Sequence, residues 1–149
     1  MRITLLNNIK VLGVFSVYGI FSLLYMGLLM VNAEKYRITV LSEILVILFI
    51  PIFLGGHYLS GKYFFRSTSN LFLDSASFIV IIILAILCAI FARDFTLHPL
   101  SILFSPKLFL EQLLESQVGT KYEIISLFTT VFLSILMQFL GMVKNVKIQ

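Results

Sequence analysis

From Val11 to Val31 the chain contains no Asp, Glu, Lys or Arg. A helix needs about 20 apolar residues to cross the hydrocarbon of a bilayer, so this one run already suits a transmembrane helix. Three more runs follow: 40–60, interrupted by Glu43 and Pro51; 71–92, with Asp74 near its start; and 124–143, again uncharged. Inside lipid a segment must satisfy its own backbone, which a helix does and a lone strand does not. The expectation is an all-α integral membrane protein. Residues 1–149 form a single membrane domain, a four-transmembrane-helix bundle with an amphipathic surface helix in the long loop between the third and fourth spans.

Composition excludes the main alternatives. The chain is 60% hydrophobic and 12% charged over 149 residues, against roughly 45–50% and about 25% for a soluble globular protein. With so few charges a water-soluble enzyme could not cover its apolar surface, and disorder requires the opposite bias. The excess of 11 Lys+Arg over 7 Asp+Glu would suit nucleic acid only if the positive side chains clustered, and they do not. The single cysteine, Cys88, lies in an apolar run and can supply neither an internal disulfide nor a thiolate metal site.

Four spans put the N-terminal tail, the 61–70 loop and the C-terminal tail on one side. That side holds Arg2, Lys10, Lys62, Arg66, Lys144 and Lys147, close to helix ends; the other holds Lys35, Arg37, Arg93, Lys107 and Lys121. Positive residues near helix ends mark the cytoplasmic face, so both termini are expected in the cytoplasm of a cell-membrane protein. Val31-Asn32-Ala33 imitates a leader cleavage site, but the preceding apolar stretch is too long for a signal peptide, and it is read as a retained helix. Residues 32–39 are expected to be a turn, and Gly61 to end the second helix.

Small and polar residues indicate how the spans pack, since close backbone approach and interhelical hydrogen bonds hold helices together in lipid. Ser126, Thr130, Ser134 and Gln138 recur every four residues and form one ridge on the fourth span. Ala85, Cys88, Ala89 and Ala92 share a face of the third, and Gly13, Ser16, Gly19 and Ser22 lie on the first. The ridge is read first as bundle glue, with the wall of a polar path as the sharper alternative.

Residues 56–62 fit the G-x-x-x-x-G-K frame of a phosphate-binding loop, but Tyr63 replaces the Ser or Thr and no strand precedes it, so the match is coincidental. Glu43 is an intramembrane acid and so a functional candidate, although one turn into a helix it also suits the positive end of the helix dipole; Asp74 is read the same way. His57 lies on nearly the same face as Glu43, about 21 Å further along the helix, with Pro51 between them as a kink.

The 93–123 segment is too polar, and too broken by Pro99 and Pro106, to span. Within it the region 95–118 is expected to be an extracytoplasmic amphipathic segment. Its helix starts at Ser105 as N-cap with Pro106 at the first position. Leu110, Leu113 and Leu114 would face lipid or a partner, opposite Lys107, Glu111 and Glu115. No catalytic constellation, metal-ligand cluster or cofactor motif is found. The expected function is non-enzymatic: an accessory or immunity-type subunit that binds a membrane-protein partner, or a homo-oligomer, in the lipid bilayer, with no nucleic acid. The alternative is a small oligomeric ion- or proton-coupled carrier or channel using Glu43, His57, Ser126, Thr130, Ser134 and Gln138.

Overall fold

A computed structural model of the chain describes residues 2–36, 39–68, 70–91, 103–108 and 122–146. Among these residues the structure is all-helical, without strands. Helix α1 runs Arg2–Tyr36 and α2 Thr39–Phe64; the short α3, Leu71–Ser75, passes through a 3-10 turn at Ala76–Phe78 into α4, Ile79–Phe91; α5 is Tyr122–Val146. Three stretches are long and apolar enough to cross a membrane: Arg2–Leu28, Leu71–Ile90 and Ile124–Lys144.

The helices differ from the sequence expectation at their ends. Helix α1 begins at Arg2 rather than near residue 11 and continues through residues 32–36, which were expected to be a turn. Helix α2 continues past Gly61 to Phe64, so Gly61 is an interior residue rather than a cap. The phosphate-loop look-alike at 56–62 therefore lies wholly inside a helix, with no loop to cradle an anion. Asn70 caps α3, its Oδ1 accepting from the N–H groups of Phe72 and Leu73. Asp74 then takes hydrogen bonds from the Ser67 hydroxyl and, at 2.7 Å each, from the Thr68 N–H and hydroxyl. It ties the preceding loop down as well as suiting the first turn of the helix.

Chain direction follows from a few long-range bonds. Asn7 donates to the Arg66 carbonyl at 2.8 Å and Lys10 to the Phe64 carbonyl at 2.6 Å; Asn7 also lies 3.9 Å from the Met142 sulfur. The start of α1, the loop after α2 and the end of α5 thus meet at one end of the molecule, while Tyr25 reaches the Leu45 carbonyl at the other. Consecutive long helices alternate in direction, and α2 and α5 run parallel.

The outside is apolar and much of the inside is polar. Val17, Leu24, Ile52, Phe72 and Phe132 all face outward, an apolar exposure that water-soluble monomers rarely carry. Asn7, Ser22, His57, Ser77, Ser134 and Gln138 are buried beside the apolar core of Phe15, Phe78, Ile81 and Leu127. Lipid is the solvent that fits such a surface.

Candidate functional site

The site lies where α2 meets α5, the most extensive helix contact among the described residues. A side chain at Gly61 would collide with the Gln138 carbonyl, and one at Gly141 with the Tyr58 carbonyl and the Lys62 amide nitrogen. Two glycines on facing helices let the backbones touch, as packing in lipid favours.

Directly beside this crossing sits His57, fully buried. Tyr18 stacks on its ring with centroids 4.6 Å apart, Phe53 meets it edge-on at 4.4 Å, and Phe15 lies at 5.2 Å. The Gln138 amide nitrogen lies 2.6 Å from His57 Nδ1, which joins α5 to α2. The aromatic side chains of α1 and α2 thus enclose the ring.

The ridge on α5 faces α2, and Ser126, Thr130, Ser134 and Gln138 are all buried. Their hydrogen bonding sets them apart. Ser16, Ser22, Ser60 and Ser77 each donate to the carbonyl four residues earlier, the usual resource of a helical hydroxyl without other partners. The hydroxyls of Ser126, Thr130 and Ser134 make no such bond; with His57 Nε2 and Gln138 Oε1 they have no hydrogen-bond partner among the described residues. Outside the seam only the Thr4 hydroxyl shares that condition among the buried groups described. A buried polar atom without a partner costs on the order of 1–3 kcal/mol, so five in one row mark a place where something polar belongs.

Residues 103–108 pack beside the seam. Their turn is held by bonds from the Lys107 N–H to the Phe104 carbonyl (3.0 Å) and from the Leu108 N–H to the Ser105 carbonyl (2.9 Å). The Ser105 hydroxyl donates to the Gly19 carbonyl, at the middle of α1, at 2.6 Å. Phe104 packs against Phe15 at 6.3 Å. Pro106 lines a cavity of about 30 Å³ together with Phe53, Leu54 and Thr130. Phe104 to Lys107 are thus buried, and Lys107, expected on the polar face of a surface helix, is only 2% exposed. The chain dips into the bundle here because Phe104 and Pro106 find apolar neighbours and Ser105 finds a carbonyl.

Of the remaining sequence candidates, Glu43 belongs to α2, but its side chain lies outside the described residues, as do Leu110, Leu113 and Leu114. No group of His, Cys, Asp and Glu suited to a metal ion occurs among the described residues. Sequence reasoning passed over Asn7 and Asn8, which bind α1 to the loop after α2 and to the 3-10 turn; two adjacent amides in an otherwise apolar stretch were the available signal. Between α4 and α5 the wall opens into an apolar groove of about 430 Å³, lined by Ile82, Ala85, Phe128, Phe132 and Leu136 among others. Comparisons with protein-family models, with curated proteins and with solved structures found no match to this chain.

Proposed function

We propose that this chain is a non-enzymatic, four-span protein of the cell membrane that acts as a small oligomeric carrier or channel, with the α2–α5 seam as its path. One observation carries the reading: His57, Gln138, Ser134, Thr130 and Ser126 align polar atoms that are buried and without partners. Polar groups inside a membrane bundle are costly and mark solute or ion pathways by default. The glycine crossing at one end and the 103–108 turn packed beside Thr130 suit an occluded state of such a path. Helix α2 serves as the fourth span, Glu43 stands at its outer entrance, and both termini are cytoplasmic, at the end that gathers Lys10, Lys62, Arg66 and Lys144.

The test is reconstitution of the purified chain in liposomes and measurement of ion and polar-solute passage. Wild type should pass at least one such species, and His57→Leu combined with Gln138→Leu should abolish it.

A second reading is an accessory or immunity-type subunit of a membrane complex, docking through Leu110, Leu113 and Leu114. Two observations favour it: the buried 103–108 turn gives the segment that follows a fixed anchor, and the groove between α4 and α5 offers an apolar seat for a neighbouring helix. Native mass spectrometry of the gently extracted protein separates the readings. A heteromeric partner that is lost on Leu113→Asp supports docking, and a clean homo-oligomer counts against it.

A further inference from the structure

We propose that the α2–α5 seam holds a single file of water molecules ending on His57, and that the species moved along it is the proton; this rests on the path reading above. The first argument is spacing. Ser126, Thr130, Ser134 and Gln138 follow one another at four-residue intervals, a rise of about 6 Å per rung. Adjacent hydroxyls are too far apart to bond directly, but one water bridging them with two hydrogen bonds of about 2.8 Å each spans that distance. The same spacing works against a dehydrated metal cation, which needs several oxygens around it at once, whereas each rung supplies one. Room is the second argument. A cavity of about 30 Å³ has Thr130 among its lining residues, and a single water needs roughly 10–15 Å³ on that measure.

The third argument is the chemistry at the inner end. If the Gln138 amide donates to Nδ1, the ring carries its hydrogen on Nε2, leaving one free donor there and one free acceptor on Oε1. If the amide is turned, Nδ1–H donates to the amide oxygen, and the free acceptor is Nε2 while the free donor is the amide NH₂. Either arrangement offers one donor and one acceptor to a water. When the ring takes a proton it carries a hydrogen on both nitrogens, and the turned amide then accepts from Nδ1 while Nε2–H donates into the file. Gln138 is therefore a positioning residue able to pair with the neutral and the protonated ring alike. The rest of the cage, Phe15, Tyr18 and Phe53, adds no charge to it.

The experiment uses the full chain in liposomes containing a pH dye, under an imposed pH gradient. Proton flux should be present and unchanged when Na⁺ or K⁺ is replaced by choline. Thr130→Val and Ser134→Ala, which remove one rung with little change in volume, should each lower the flux by about tenfold, the equivalent of one missing hydrogen bond; Thr130→Ser should keep it. Passage of Na⁺ or K⁺ in place of protons would overturn the proton assignment and leave the path reading standing. Proton flux indifferent to both rung variants would overturn the water file. No passage of any species would overturn the path reading and this proposal together. A measurement independent of flux uses His98→Asn, which leaves His57 as the sole histidine. Magnetisation transfer between its ring nitrogens and water in solid-state NMR is expected, and a dry ring sinks the proposal.

Discussion

Asn8 shows how one side chain can hold a helix discontinuity in place. The 3-10 turn at Ala76–Phe78 interrupts the regular i→i−4 ladder, and Asn8 braces it: its amide donates at 3.0 Å to the Ala76 carbonyl, which also accepts from the Ile79 N–H, and its oxygen accepts from the Val80 N–H at 3.2 Å. Asn8→Ala should lower stability by about 1–3 kcal/mol, because it removes the side-chain acceptor of the Val80 N–H and a second donor to the Ala76 carbonyl; unfolding by SDS titration in mixed micelles would read this, and an unchanged midpoint would refute it. The His57–Gln138 pair invites a sharper comparison. Gln138→Leu alone removes the partner of Nδ1 and should be destabilising on the same scale, whereas His57→Phe together with Gln138→Leu replaces both partners by apolar groups and should be close to neutral. A double variant as unstable as the single one would show that the pair matters for more than mutual satisfaction. His57 and the ridge were both visible as residue types at suggestive spacings. Their meeting was not, because nothing in a linear sequence says that residue 57 faces residue 138.

At the scale of elements, the α2–α5 contact depends on two missing side chains. Gly61→Ala and Gly141→Ala each place a carbon against a backbone carbonyl that no rotamer change can move aside. Overpacking of this kind costs roughly 1–3 kcal/mol, and it should pry open the inner end of the seam. Each variant is expected to unfold at lower SDS fraction, and in the liposome assay to leak larger polar solutes that wild type holds back; normal stability in both would mean that the helices do not cross there. The 103–108 turn is held more lightly. Ser105→Ala removes one hydrogen bond within the bundle, an effect of about 0.6 kcal/mol on the average for membrane interiors, with a measurable rise in exchange of the neighbouring amides. Three helices of membrane length could be read from hydropathy alone, but helix ends could not. Asn7 and Asn8 looked like tail residues, yet inside the bundle they find carbonyls, so α1 continues to Arg2.

For the whole molecule, the arrangement is inverted relative to a soluble protein, with apolar side chains outward and a string of hydroxyl, amide and imidazole groups inward. Alternating helix direction brings Lys10, Lys62, Arg66 and Lys144 to one end, where the positive-inside tendency would place the cytoplasm. Single cysteines introduced at positions 35, 66 and 144 in a Cys88→Ala background should divide accordingly. Positions 66 and 144 should react with a membrane-impermeant thiol reagent only after the cell is opened, and position 35 in the intact cell. The same sidedness for all three would rule out the four-span topology.

By itself the sequence determined the solvent and the class of element: uncharged runs of membrane length allow little besides helices in lipid, because the hydrocarbon offers no partner for an open backbone. It also determined which residues share a face, since four-residue spacing is a local property of the helix. What only the tertiary structure decided was which faces meet. Gly61 became a contact point instead of a cap, Lys107 and its neighbours entered the bundle instead of lying on its surface, and His57 closed on Gln138. The physical reason is that in lipid the hydrophobic effect does not choose between one apolar face and another. Close backbone approach and a handful of polar contacts make that choice, and both depend on three-dimensional neighbours that hydropathy does not encode.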